Sequence, residues 1–461
     1  MRVGILTEFP SPSIQSGPAL QTRLLHDGLQ ARGHFVVLVG PDTSSQSPVE
    51  AANTHLFANA SFAHGPPGRP RYPARPTINI PMPWPPRRLV RPPELDVLHS
   101  QCTSHITHYG AWLRKLRGTA FINTNVIHLP AHIHFLLPDR LRESSFVWQG
   151  MQRWVLGIER SFAELYNQGD GLIVQTEYLV DYWIERGVRV PIEVIGRPID
   201  PTLFSRPIAA DPFPANMTRG KRLLCVCRID REKNLDMLVE LFDREIAEND
   251  PQATLTILGD GFERQRLILR CGRSRHASRF HFPGEIEHER LRDWYAHADV
   301  FVYTSLSETF GNVVNEALWN GLPVVALNDR LGVAHQVKPG VNGFLIDPER
   351  PSTTEDFAAT VLSLFRDEEL RTTMAREAER KSRRTSHPDV VLGRYERFYE
   401  QAIQRARREV GRPLAEARGV AKAAGALPFA RHIGAWALWS SLVVGLGRAT
   451  VAFGIGEAAN E

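Results

Sequence analysis

The sequence predicts an α/β protein of two doubly wound domains in tandem, followed by a tail. Three observations predict it. At 461 residues the chain exceeds one ordinary domain, and 43% hydrophobic with 23% charged residues is the composition of a globular protein with ample core. Its opening reads strand, loop, helix, Gly33-His34, strand, the first βαβ unit of a doubly wound sheet. The stretch from Val300 to Leu327 follows the same pattern: an apolar run Val300–Tyr303, a glycine-containing loop, a short helix stopped by Gly321 and Pro323, and a second apolar run to Leu327.

A net charge of +4 is only mildly basic; it suits anionic nucleotides or a membrane surface and is too weak to indicate nucleic acid. Cys102, Cys225, Cys227 and Cys271 make no disulfide framework, and one C-x-C pair is no zinc site, so all four read as buried thiols of a reducing compartment. Met1–Thr7 enters a strand with no signal peptide, which makes the cytoplasm the default.

Taken in order, a domain over 1–200 comes first. Its opening strand leads into a loop, Pro10–Gly17, then a helix around Leu20 to Gln30 and a strand over Phe35–Val39. From Gly65 to Pro93, prolines crowd among arginines, which rules out a core strand or helix. The stretch is either a surface loop or an acceptor-side, membrane-contacting loop, with arginines on anionic head groups and Trp84 at the interface. Asp96–Gln101 is a strand ending in polar residues, where open α/β sheets bind ligands. After the strand Ala120–Thr124 come His128, His132 and His134, which lack an acidic partner for a metal. A strand over Asp170–Glu177, a helix near Tyr178–Arg186 and a strand over Ile192–Ile195 lead to Gly196–Asp200. That turn reads as a mainly structural crossing between domains, with Arg197 a secondary candidate for a phosphate contact.

A second domain, 201–384, opens with the strand Arg222–Cys227 and then Arg228 and Lys233 in an R-x(4)-K arrangement. A planar fork of donors and a point charge are what a diphosphate leaving group needs. Thr254–Gly261 is a strand entering a structural glycine turn. In the central stretch, the backbone N–H groups of Phe310, Gly311, Asn312 and Val313 open a helix and form an anion site reinforced by the helix dipole. Gly311 lets a ligand approach the backbone. Glu308 precedes this junction and Glu316 lies about five residues into the helix, roughly 7 Å along its axis. Two carboxylates flanking an anion site match a sugar nucleotide, with phosphates between hydroxyl-bearing rings. Residues 405–461 form a tail that is basic at Arg405–Arg408 and apolar over about 15 residues, Ile433–Gly447. That run is short of the ~20 residues needed to span a bilayer. With Trp436 and Trp439 it suits an interfacial helix, or packing on the protein itself or a partner.

The run S-x-S-E-T-F-G-N-V-x-x-E-A-x-x-x-G-x-P-V-V-A at 305–326 closely resembles the donor-site pattern of the retaining GT-B glycosyltransferases of family 4. So do Asp96-Val97-Leu98-His99, the Gly196–Asp200 turn, Arg228…Lys233-Asn234, and Gly340–Leu345, so the resemblance spans about residues 1–400. It implies two Rossmann-like doubly wound domains facing a central cleft, with the donor held mostly by the second and the acceptor by the first. It implies that Arg228 and Lys233 stabilise the departing diphosphate together with the helix start at Gly311. Glu308 would hold donor-sugar hydroxyls, Glu316 the ribose hydroxyls, the backbone near Ile286 the base, and the loop at Gly17 the phosphates. Relatives carry two adjacent glycines in that loop, where this chain has Gly17 alone, and a histidine where this chain has Val126. The sugar-contacting role therefore falls to His128 or His132. The resemblance further implies residues 385–404 crossing back to the first domain, and retention with same-face attack and no enzyme nucleophile. No D-x-D pair is present, so neither a metal nor another cofactor is expected, and the donor is a UDP- or GDP-sugar. Lys233→Ala or Glu308→Ala should nearly abolish transfer and leave the fold intact. The arginine–proline loop and the tail favour a membrane lipid or lipid-linked glycan acceptor, with peripheral contact at the inner face of the plasma membrane. A soluble or polysaccharide acceptor is the alternative, and a non-catalytic sugar-nucleotide-binding protein a third.

Overall fold

The computed structural model describes residues 1–8, 17–41, 54–57, 59–63, 77–81, 94–102, 106–130, 145–200, 204, 207–217 and 219–410. Its strands, in chain order, are β1 Arg2–Leu6, β2 Phe35–Pro41, β3 Thr54–Phe57, β4 Asn59–Ala63, β5 Thr77–Pro81, β6 Val97–Ser100, β7 Ala120–Thr124, β8 Gly171–Val174 and β9 Ile192–Val194. Then follow β10 Arg222–Val226, β11 Thr254–Leu258, β12 Phe280–Gly284, β13 Val300–Tyr303, β14 Val324–Leu327 and β15 Gly343–Ile346. Among the described residues they form a seven-stranded sheet, β3-β2-β1-β6-β7-β8-β9, and a six-stranded sheet, β12-β11-β10-β13-β14-β15. Every pairing in both is parallel. The expected pair of doubly wound domains is therefore present. The second sheet has the 3-2-1-4-5-6 order, whose switch point lies between β10 and β13.

The strands form where four or five apolar, often β-branched residues run together between glycine or proline turns. β6, β7, β8, β10, β11, β13 and β14 are buried at every position, as parallel strands covered on both faces must be. One face of the first sheet packs Val3, Ile5 and Val97 against Leu25 and Leu29 of the helix Gly17–Ala31. The same cluster takes Tyr395, Phe398, Tyr399 and Ala406 from the helix Pro388–Val410, so the end of the described chain lies on the first sheet. His99 receives that helix: its Nδ1 lies 2.6 Å from the Tyr399 hydroxyl and its Nε2 2.6 Å from Thr124 Oγ1. Burial pushes the His99 ring down to about 3, so it is neutral there. The polar end of β6, read from sequence as a ligand position, is spent at His99 on docking this helix.

Three differences from the sequence reading have local causes. The first helix starts at Gly17 rather than near Leu20, because Pro18 has the fixed φ that suits a first helical turn. Within the proline- and arginine-rich stretch, Thr77–Pro81 pairs antiparallel with Asn59–Ala63 as a separate two-stranded sheet, using the proline-free Thr-Ile-Asn-Ile between Pro76 and Pro81. β3 is a further strand at the edge of the first sheet. The rest of 65–93 including Trp84, the loop before Gly17, His132 and His134, and the tail beyond Val410 lie outside the described residues.

Candidate active site

The C-terminal ends of β10 and β13 lie side by side at the switch point, and the chain leaves each of them into the site. After β10, Arg231–Lys233 makes a tight turn, and Asn234 takes a left-handed conformation with φ of 52° that asparagine tolerates better than most residues. The Thr304 hydroxyl, just past β13, donates to the carbonyls of Lys233 at 3.0 Å and Asn234 at 3.1 Å, which fixes the lysine backbone against the neighbouring strand. The turn after β11 leans on the same place. A Cβ on Gly259, at φ 130°, would stand 1.9 Å from the Cys227 carbonyl oxygen, so the close approach of the two loops requires glycine there.

Lys233 and Glu308 meet across this junction. The Lys233 ammonium donates to Glu308 Oε1 at 2.6 Å, and the hydroxyls of Tyr303 and Ser305 reach the same oxygen at 2.8 and 2.9 Å. Three donors converge on Oε1, and among the described residues none is seen on the other carboxylate oxygen. Burial by itself would raise the Glu308 carboxyl, but the Lys233 charge and the two hydroxyls hold it at about 2, and it is ionised. Burial likewise works against the Lys233 charge, and Glu308 and Glu232 more than offset it, so its pKa is raised. Arg228 lies further out, its side chain 65% exposed, and pairs with Asp230 at 2.9 Å and Glu232 at 2.8 Å. Glu232 is also 3.3 Å from Lys233, so Arg228, Lys233 and Glu308 form one connected array.

The helix Asn312–Trp319 starts behind Glu308. Gly311 precedes it at φ 83°, and among the described residues the N–H groups of Gly311, Asn312 and Val313 have no backbone acceptor. Sequence reasoning missed what holds this loop. Gly332 donates its N–H to the Glu308 carbonyl at 2.8 Å, and a Cβ there would come within 2.5 Å of the Phe310 backbone. The Gln336 amide donates to the Phe310 carbonyl, and the Asp329 carboxylate caps the next helix by accepting from Leu331, Val333 and Ala334. Burial pushes the Asp329 carboxyl up to about 6 in spite of those three bonds.

Glu316 faces a different neighbourhood. Its Oε2 accepts from the Tyr295 hydroxyl at 2.8 Å, and burial raises its pKa against the opposing pull of His288 and Tyr295. His288 lies 3.5 Å from Asp200, which is 3.6 Å from Arg23 on the first helix. The neighbouring Asp200 carboxylate raises His288 against its burial. Asp200, His288 and Arg23 were not singled out from sequence for this cluster; a histidine two residues past Ile286 was the one available signal. Ile286 itself packs on the core of the second domain, on the loop that follows β12. His128 is buried in an aromatic cluster, with its ring 4.9 Å from Tyr182 and 6.4 Å from Tyr178. Gly17 faces the second domain: a Cβ there would lie 3.2 Å from Arg197 Nη1 and 3.7 Å from Asn312 Nδ2.

The arrangement offers a carboxylate poised on a buried lysine, bare helix-start N–H groups and a second carboxylate in an interdomain pocket. Comparisons with known proteins fit that chemistry. The family described as Glycosyltransferase Family 4 matches residues 16–203, and the family described as Glycosyl transferases group 1 matches residues 211–381. The chain is 23% identical over 346 residues to the alpha-monoglucosyldiacylglycerol synthase of Streptococcus pneumoniae, spanning 71% of each chain. It is 32% identical over 298 residues to the sulfoquinovosyl transferase of Arabidopsis thaliana, spanning 62% of this chain and 53% of that enzyme. Among solved structures, Anabaena HepE in complex with UDP superimposes with a TM-score of 0.62 at 17% identity, over 87% of this chain and 100% of HepE, which is a likeness of fold.

Proposed function

We infer that this chain, which belongs to the group 1 and family 4 glycosyltransferases of GT-B fold, transfers a hexosyl group from a UDP- or GDP-sugar to a membrane lipid or lipid-linked glycan with retention of configuration. One observation carries the donor half of this reading. Glu308 has a single carboxylate oxygen saturated by Lys233, Tyr303 and Ser305, and it stands beside bare helix-start N–H groups at the switch point of the second sheet. A sugar hydroxyl would donate to the remaining oxygen. The diphosphate would take the N–H groups at Gly311–Val313 and the cations Lys233 and Arg228, whose charge stabilises the leaving group as the glycosidic bond breaks. Ribose hydroxyls would donate to Glu316 and the base would lie by Ile286. Gly17 and His128 belong to the first domain, which on this reading closes over the phosphates and the sugar. Closure expels water and favours transfer over hydrolysis.

Support for a lipid acceptor is of another kind. The pneumococcal relative is named for a monoglucosyldiacylglycerol product. No helix among the described residues is long and apolar enough to cross a membrane. The test has two stages. A thermal-shift panel of UDP- and GDP-sugars identifies the donor. Nucleoside diphosphate release is then followed with diacylglycerol vesicles and with soluble glycans, and the product's anomeric configuration is read by proton NMR. Donor binding without release on any acceptor would sink the enzymatic reading, and an inverted product would sink retention. Chain cut after Val410 should lose binding to anionic vesicles while keeping donor binding. The cut belongs there because Ala406 is still part of the first-domain core.

A further inference from the structure

We propose that Arg197, on the crossing between the two domains, is a binding residue for the donor's diphosphate and adds its positive charge to that of the paired cations Arg228 and Lys233. This deepens the donor reading above and rests on it.

Arg197 is 8% exposed, and its Nε has no hydrogen-bond partner. Its Nη1 donates to Asn312 Oδ1 at 3.2 Å, and its guanidinium carbon lies 5.8 Å from the centre of the Phe310 ring. Among the described residues it forms no ion pair: Asp200, three positions on, is engaged by Arg23 and His288 instead. A buried guanidinium without a paired carboxylate is a costly charge, felt here only from a distance by Glu308, and an arriving anion would offset it. By contrast, Arg228 is matched by two acids and Lys233 by Glu308.

The surroundings say which counter-ion. Arg197 lines a small pocket with Gln21, Asn312 and Glu316, between the first helix of one domain and the helix Asn312–Trp319 of the other. Two helix starts, Gly17 and Asn312, converge on its guanidinium. Both bring partial positive charge, so the space between them favours an anion. Gln21 Oε1 in the same cavity also lacks a partner, while its amide nitrogen donates to Tyr395 at 3.2 Å, so a ligand hydroxyl fits there. Anionic charge beside hydroxyls is the chemistry of a sugar nucleotide. Because Arg197 sits on the crossing, its bond to the phosphates would tie donor binding to domain closure.

The experiment uses the full chain, Arg197→Met and Arg197→Lys, with UDP, GDP, uridine and guanosine titrated calorimetrically and the melting temperature of each unliganded protein recorded. Taking whichever diphosphate the wild type binds, Arg197→Met should weaken it about 10- to 100-fold, as expected for loss of charge-assisted bonds, and leave the matching nucleoside within about twofold. Arg197→Lys should recover part of the loss. The unliganded melting temperature of Arg197→Met should stay level or rise, since an unmatched buried charge has been removed. Diphosphate affinity unchanged in Arg197→Met, or an equal loss for diphosphate and nucleoside, overturns the proposal. So does a fall in the unliganded melting temperature with undiminished diphosphate affinity, which would make Arg197 structural. Lys233→Met separates the two levels: if it abolishes diphosphate binding and Arg197→Met does not, this inference fails and the donor reading stands. If the wild type binds neither diphosphate, the donor reading itself fails.

Discussion

The Lys233–Glu308 pair allows a test in which stability can be restored while chemistry is not. The substitutions are Lys233→Met, Glu308→Gln and the two together. The partners are 2.6 Å apart, with side chains 11% and 15% exposed. The drop of the Glu308 carboxyl from its ordinary 4.5 to about 2 corresponds to roughly 3 kcal/mol in favour of the ionised form. Removing only the lysine leaves that carboxylate buried with two hydroxyls, a situation that costs about 3–5 kcal/mol. At about 2–4 °C per kcal/mol, the melting temperature should fall by about 6–20 °C. Either single substitution therefore carries a stability cost in addition to its effect on transfer. The double variant removes both charges, and the amide oxygen introduced by Glu308→Gln can keep the Tyr303 and Ser305 bonds. It should therefore be more stable than Lys233→Met, with a coupling of about 3 kcal/mol in a double-mutant cycle. Transfer should be lost in all three. The pH dependence follows with a definite sign: a lowered carboxyl contributes its stability above 4.5 and loses it as pH falls through about 2, and Glu308→Gln should flatten that limb. Strictly additive single effects would show that the two charges do not interact. Recovered activity in the double variant would show that neither group takes part in transfer.

Other outcomes follow from individual contacts. Gly332→Ala places a methyl within 2.5 Å of the Phe310 backbone, so it should displace the helix start and raise KM for the donor about tenfold or more, with little change in affinity for the free nucleoside; an unchanged donor KM would contradict the role given to this loop. Gly259→Ala, whose Cβ would meet the Cys227 carbonyl at 1.9 Å, should destabilise the second domain by at least about 2 kcal/mol in a denaturant titration. His288 is raised by Asp200, so its contribution is complete below its ordinary 6.5 and is lost as pH rises through the higher folded value. The melting-temperature gap between wild type and His288→Gln should narrow from about pH 6 to about pH 8; a gap constant with pH would count against a charged His288–Asp200 contact.

Much of the fold was legible because strand burial leaves a local trace. Val300–Tyr303 and Ala120–Thr124 are strands over the limits read from their apolar runs, and Thr254–Leu258 lies within the stretch read as a strand entering a glycine turn. Thr54–Phe57 left no such trace, being a short edge strand with a histidine in it. Lys233 and Glu308 were legible as candidates because each follows the end of a strand, and adjacent strands bring such ends together at a switch point. The residues that join the domains could not be found in that way. Arg197 meets Asn312 across 115 positions, and Gly332 meets Phe310 only because two loops of one domain fold over each other. No spacing rule encodes such contacts, because they depend on how finished units dock.

The charge pattern of the site ties these levels together. In this structure the cations of the R-x(4)-K motif are already matched, Arg228 by Asp230 and Glu232 and Lys233 by Glu308. Read from the motif alone, they would seem free to grip a diphosphate. A ligand bringing several negative charges must therefore share Lys233 with Glu308 or meet positive charge supplied from elsewhere. The unmatched candidates among the described residues, the N–H groups at Gly311–Val313 and the guanidinium of Arg197, converge where the first helix faces the helix Asn312–Trp319. Binding that draws on both helices and on the crossing between them stabilises the closed arrangement of the domains by mass action. A donor fragment without phosphates would leave that arrangement unaided, which is why the comparison of diphosphate with bare nucleoside reads closure as well as affinity.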